Sequence, residues 1–99
     1  MSESQSLGAV IDDLWGVIES RRGVDPENSY TARLLGGDED QLLKKIAEEA
    51  GEVIMAAKDA DAEHLRYEIG DVVYHLLVVM ARWGLSPDDL AKELASRRV

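Results

Sequence analysis

The chain reads as a single all-α domain, residues 1–99, of four to five helices built on a central antiparallel helix pair. Two observations predict this. Apolar residues recur at the three- and four-residue spacing of one helix face over most of the chain, while the strict alternation of a half-buried strand is absent. Gly23, Gly36-Gly37, Asp59 to Asp61 and Gly84 then cut that pattern into helix-length segments. Ninety-nine residues suffice for one hydrophobic core and not for two.

A first helix is expected from about Leu7 to Arg22, because Leu7, Val10, Ile11, Leu14, Trp15 and Ile18 follow the helical period. Gly23 stops it. Residues 23–29 are loop-forming by composition, and Ser29 to Leu35 reads as a short helical turn closed by Gly36-Gly37. A long helix follows from Asp38 or Asp40 to about Lys58, with Leu42, Leu43, Ile46, Ala50, Val53, Ile54 and Ala57 as its apolar face. Its acidic start suits the helix dipole. After a tight connection at Asp59 to Asp61, a second long helix spans about Ala62 to Trp83 and ends at Gly84. So short a link makes the two long helices antiparallel neighbours. Ser86-Pro87-Asp88-Asp89 opens a last helix with a cap, a proline in its first turn and an acid three residues after the cap.

Within the second long helix, Val72 to Ala81 leaves almost no polar face, which calls for burial on more than one side. Tyr74, Val78 or their neighbours are therefore expected against a second subunit, making the chain a homodimer or higher homo-oligomer. Trp15 and Trp83 are read as core, and Arg21-Arg22 and Arg97-Arg98 as solvated helix ends.

Eleven Lys and Arg against twenty Asp and Glu give a formal charge of −9, which argues against nucleic acid or an anionic membrane as partner. The absence of cysteine excludes thiolate metal sites, disulfides and a cysteine nucleophile, and fits a reducing compartment. No apolar stretch reaches the roughly 18 residues of a membrane span, and Met1 to Ser6 lack a signal-peptide pattern. A cytoplasmic, unexported protein is the expectation.

The chemistry lies in two acidic motifs on the paired helices, Lys45-Ile-Ala-Glu48-Glu49-Ala-Gly-Glu52 and, sixteen positions after Glu52, Glu68-Ile-Gly-Asp71. At about 100° per residue, with Ile46 as the centre of the apolar face, Glu49 falls ~60°, Lys45 ~100°, Glu52 ~120° and Glu48 ~160° to one side. With Ile69 as centre, Glu68, His75 and Asp71 fall ~100°, ~120° and ~160° to one side. Flanks built alike can converge across a seam, placing Glu48, Glu49, Glu52, Glu68 and Asp71 around a pocket with Lys45 and His75 at its rim.

A bland alternative is a solvated acidic surface. Against it, Glu49 sits close to the apolar centre, the lysines precede the acids in the poorer order for helix pairs, and the three glutamates repel one another unless a cation intervenes. An all-oxygen set selects magnesium, manganese or calcium over zinc or copper. A di-iron bundle needs Glu-x-x-His pairs, and neither His64 nor His75 has a Glu three positions earlier. His75 in its apolar run reads as a hydrogen-bonded core or interface residue as readily as a ligand, and His64 is read as surface.

Lys45-x-x-Glu48-Glu49-x-x-Glu52 with Glu68-x-x-Asp71 resembles the all-α nucleoside-triphosphate pyrophosphohydrolases of the MazG-like superfamily. Ser29-Tyr-Thr-Ala-Arg33-Leu, Asp71-Val-Val-Tyr74-His75-Leu-Leu-Val and Gly84-Leu-Ser-Pro-Asp-Asp-Leu narrow the resemblance to the phosphoribosyl-ATP pyrophosphohydrolase family of histidine biosynthesis, over Ser29 to about Ala95. Many relatives carry Gly where this chain has Ala47 and a bulkier residue where it has Gly51; neither position is a carboxylate. The family includes fusions to a cyclohydrolase, for which 99 residues leave no room.

The resemblance implies magnesium-dependent hydrolysis of phosphoribosyl-ATP to phosphoribosyl-AMP and pyrophosphate. Glu48, Glu49, Glu52, Glu68 and Asp71 would be the metal ligands, with Glu49 or Glu48 as general base. Lys45 and Arg33 would contact phosphates, and Tyr30, Thr31, Tyr74 and His75 would line the nucleotide pocket. Two other readings stand beside it: a housekeeping pyrophosphohydrolase of other nucleoside triphosphates, and a non-catalytic helical dimerisation or binding module.

Overall fold

The computed structural model describes residues 5–98. Among them are five α-helices and one 3-10 turn, with no strand: α1 Leu7–Ser20, the turn Pro26–Asn28, α2 Tyr30–Gly36, α3 Glu39–Lys58, α4 Ala62–Trp83 and α5 Pro87–Ala95. The all-α expectation holds, and each helix starts where a capping side chain stands before it.

Ser6 accepts from the Ala9 amide, Ser29 from Ala32, Asp38 from Asp40, Asp61 from His64 and Ser86 from Asp89, each satisfying an amide that lacks an intrahelical partner. At α5 the Asp89 carboxylate answers with a bond from the Ser86 amide, completing a capping box. Helix ends are equally local. Gly84 takes φ +73°, and the Leu85 amide reaches back to the Met80 carbonyl. Gly37 is required for a different reason: a Cβ there would lie 2.6 Å from the Arg33 carbonyl oxygen, whose bond with the Gly37 amide closes α2. Helix α1 ends two residues earlier than expected, at Ser20, and Arg21 and Arg22 turn toward Gly23.

The antiparallel α3–α4 pair is the framework, and α1 and α2 pack on α4. Ile18, Leu42, Leu77, Val78 and Ala81 form the buried centre, flanked by Ile11, Leu14, Trp15, Leu34 and Leu35. Each large aliphatic side chain fully buried there contributes about 1.5–3 kcal/mol relative to exposure.

Several apolar assignments change. Val78 is fully buried inside the chain, which withdraws it from any outer surface, while Tyr74 is half-buried with its hydroxyl bonded to Thr31. The exposed large apolar residues of α4 are Tyr67, Ile69, Leu76 and Trp83. Trp83 is not core: it is 68% exposed and its indole N–H donates to Glu39 Oε2 at 2.9 Å. Arg22 does more than end a helix, since its guanidinium pairs with Glu19 and donates to the Ala81 carbonyl, tying α1 to α4.

The paired helices also turn different faces to each other than Ile46 and Ile69 suggested. On α3, Leu42 and Ala56 are buried and Ile46, Glu49 and Val53 half-buried, while Leu43, Ala50, Ile54 and Ala57 face out. On α4 the first two buried residues along the helix are polar, Glu68 and His75, and Ile69 is 46% exposed. Glu49 and Glu68 therefore lie in the seam itself.

Candidate active site

Because α3 and α4 run in opposite directions, the two motifs meet crosswise. Glu49 faces the level of Asp71 and His75, and one turn further along α3, Glu52 faces Glu68 and His64.

In the first of these layers, His75 is buried and fully engaged. Its Nδ1 lies 2.9 Å from the Asp71 main-chain oxygen, an acceptor only, so Nδ1 carries the proton. In the neutral ring Nε2 then accepts from the Tyr30 hydroxyl, 2.9 Å away. Glu49 Oε1 approaches the same Nδ1 to 2.7 Å but, with that proton directed elsewhere, is a buried oxygen without an aligned hydrogen bond. Burial raises the Glu49 carboxyl above its ordinary value of 4.5 and the Asp71 charge adds to it, while a protonated His75, and Lys45, pull the other way. The Tyr30 hydroxyl is also raised, first by burial and then by Tyr74, Glu49 and Asp71.

Tyr30 and Thr31 come from the first turn of α2, which Ser29 caps. The Thr31 hydroxyl bonds the Tyr74 hydroxyl, the Tyr30 and Tyr74 rings stack at 6.4 Å, and His75 stands edge-on to both. Four of the residues expected to line a pocket thus form one network joining α2 to α4. Arg33 lies over the Tyr30 ring, 5.6 Å from its centre, and donates to the Pro26 carbonyl at 3.1 Å. A cleft of about 400 Å³ opens beside it, lined by Tyr30, Arg33, Gly37, Gln41 and Lys45 among others. It offers two cations next to the acids of the seam.

In the second layer, His64 Nε2 is 3.1 Å from Glu68 Oε2 and 3.8 Å from Glu52 Oε2. One donor atom from each of Glu52, His64 and Glu68 lies within 4.8 Å of the others. Glu68 is only 9% exposed. His64 is half-buried here and not a free surface residue; its four-residue spacing from Glu68, behind the Asp61 cap, was the available signal.

Glu48 stands apart. It is exposed and lines a separate hollow with Asp38, Asp40, Gln41, Lys44 and Lys45. Among the described residues the close group of possible metal-ligating side chains, Glu52, His64 and Glu68, does not include it.

The donor set of the seam suits a divalent cation: four carboxylates, one with a buried oxygen that lacks a hydrogen bond, crowd where water is partly excluded, and hard oxygen donors are what magnesium takes. Fold and seam together define a class, an all-α protein whose central helix pair concentrates carboxylates beside a cleft bearing Arg and Lys.

Residues 11–98 match the family model described as phosphoribosyl-ATP pyrophosphohydrolase, and the chain belongs to that family. It is 52% identical over 89 residues to the phosphoribosyl-ATP pyrophosphatase of Pelotomaculum thermopropionicum, covering 90% of this chain and 91% of that one. The enzyme of that name from Haloarcula marismortui is 48% identical over 97 residues, 96% of this chain and 99% of the relative. A bifunctional histidine-biosynthesis protein of Thermus thermophilus is 47% identical over 93 residues; these cover 94% of this chain but only 44% of the relative's length.

Proposed function

We propose that the chain, acting as one pyrophosphohydrolase domain, hydrolyses phosphoribosyl-ATP between its α and β phosphates to give phosphoribosyl-AMP and pyrophosphate, an early step of histidine biosynthesis. Family membership supports the substrate. The observation that carries the chemistry is the crosswise meeting of the two motifs, with a buried, unbonded Glu49 oxygen at its centre.

Glu49, Glu52, Glu68 and Asp71 would hold magnesium, with Glu48 exposed at the outer rim. When bound, the ion supplies charge neutralisation at the triphosphate oxygens. Glu49 is assigned as general base, because one of its oxygens is buried in the seam without a hydrogen bond and is free to take a proton from water. That water forms a bond to the α phosphorus as the bridging P–O bond breaks, and its proton passes to Glu49. Lys45 acts as a point charge on phosphate, and Arg33 as a two-pronged donor. Tyr30, Thr31, Tyr74 and His75 hold one wall of the nucleotide site through their shared network.

Among the described residues no helix is long and apolar enough to cross a membrane. We assign the chain to the cytoplasm, where its nucleotide substrate is made. It acts as a homodimer, supported by the exposed apolar stripes of α3 and α4.

The test is pyrophosphate release with magnesium from phosphoribosyl-ATP, dUTP and ATP. Turnover of phosphoribosyl-ATP is expected to exceed that of the other two, and Glu52→Gln and Asp71→Asn should each lower it by about a hundredfold or more with helix content unchanged. Preference for dUTP would shift the reading to a housekeeping enzyme. Full activity in both variants would place the chemistry elsewhere.

A further inference from the structure

One side chain of the seam has a donor chemistry unlike the rest. His64 occupies the third position of α4, where the Asp61 side chain accepts its backbone amide at 3.1 Å and so fixes the turn that carries it. From there its Nε2 points between Glu52 of α3 and Glu68 of its own helix. An ion held ~2.1 Å from each of two neighbouring ligands at right angles keeps those ligands ~3.0 Å apart. Nε2 and the Glu68 oxygen are hydrogen-bonded at 3.1 Å, a separation that also matches that edge, so an ion would take the place of the shared proton; the 3.8 Å to the Glu52 oxygen needs only a small side-chain adjustment. Glu68 is nine-tenths buried and directed into the same space.

We propose that His64 is a ligand of the cation held by Glu52 and Glu68, giving this chain a mixed nitrogen and oxygen set. The inference rests on the reading of those two glutamates as cation ligands and adds a selectivity to it. Imidazole nitrogen favours cobalt, nickel, zinc and other first-row transition ions, and adds far less for magnesium, which prefers oxygen and keeps its waters. The chain should therefore discriminate in favour of a transition ion by more than an all-oxygen version of the same seam, with the difference residing in one residue.

The experiment is calorimetric titration of the chelator-treated full chain with magnesium chloride alone and with cobalt chloride alone, for the unaltered chain, His64→Gln and His64→Glu. The unaltered chain is expected to bind both ions. His64→Gln should weaken cobalt at least tenfold and magnesium less than threefold. His64→Glu, an acid in the first turn of α4 where the helix dipole favours one, should keep magnesium while losing the cobalt preference. In proton NMR of the cobalt-loaded chain, one paramagnetically shifted exchangeable imidazole resonance should vanish in His64→Gln. Equal loss of both ions, or unchanged cobalt binding, would show that His64 only orients Glu68 and would overturn this inference alone. An unaltered chain that binds neither ion would overturn the cation-site reading and this inference with it.

Discussion

At Glu49, burial and the neighbouring Asp71 charge both favour the protonated carboxyl. A group whose proton affinity is higher in the folded chain than in the unfolded one binds more protons when folded, so stability falls as pH rises between the two values. The unfavourable contribution is absent below the ordinary value of 4.5 and complete above the raised folded value. Glu49→Gln is therefore expected to raise the melting temperature of the chelator-treated chain at pH 7, and the increment should shrink as pH falls through that window. A variant less stable at pH 7 than the unaltered chain would contradict this. The position of Glu49 close to the apolar centre was legible from spacing alone. His64 was not: one of its partners, Glu52, lies on the other helix, and no wheel drawn for a single helix brings it into reach.

Helix boundaries were the most readable feature, because each depends on a cap or stop within a few residues of it. Leu7, Ala62 and Trp83 fall where the sequence puts them. What the wheels misplaced was which face of α3 and α4 turns inward. Both helices carry apolar residues on two faces, and Ile46 and Ile69 looked like the centre of a single one. The α3–α4 connection shows a second local conflict. Ala60 adopts φ +56°, and the Asp61 amide bonds the Ala56 carbonyl, a helix ending that favours glycine. Left-handed backbone costs a residue with a Cβ roughly 1–2 kcal/mol, partly offset by the greater unfolded-state freedom of glycine. Ala60→Gly should raise unfolding stability by up to about 1 kcal/mol in urea titrations, with an unchanged denaturant slope. A loss of stability would show that the turn does not strain Ala60.

Over the described residues, two apolar stripes remain only partly covered. Leu43, Ala47, Ala50, Ile54 and Ala57 on α3, and Ile69, Val73, Leu76, Met80 and Trp83 on α4, alternate spacings of four and three, the period of helices that pack against other helices in bundles. Leu43, Ile54, Ile69 and Leu76 are each 44% exposed or more. An amphipathic pair with this outer face fits a second copy of itself across a two-fold axis. Sedimentation at micromolar concentration is expected to show a species of twice the 10.9 kDa chain mass. Combining Ile54→Glu with Leu76→Glu should weaken association by at least about a hundredfold, since charges would then be buried without partners. A single species at chain mass before any substitution would refute the dimer. The apolar run of α4 suggested a partner at Val78, and the structure instead places Val78 under α1, leaving Ile69 and Leu76 among the outward apolar residues.

The Arg82 guanidinium donates to the carbonyls of Leu34, Leu35 and Gly37, at 2.8, 3.2 and 2.8 Å. With Tyr30 and Thr31 bonded to His75 and Tyr74 at the other end, α2 is fastened to α4 at both of its termini. Mechanically it is a rider on that helix, so Tyr30, Thr31 and Arg33 travel with Glu68 and Asp71 as one piece. A change in the loop before Ser29 would then alter how the chain enters this piece without altering the distances inside it.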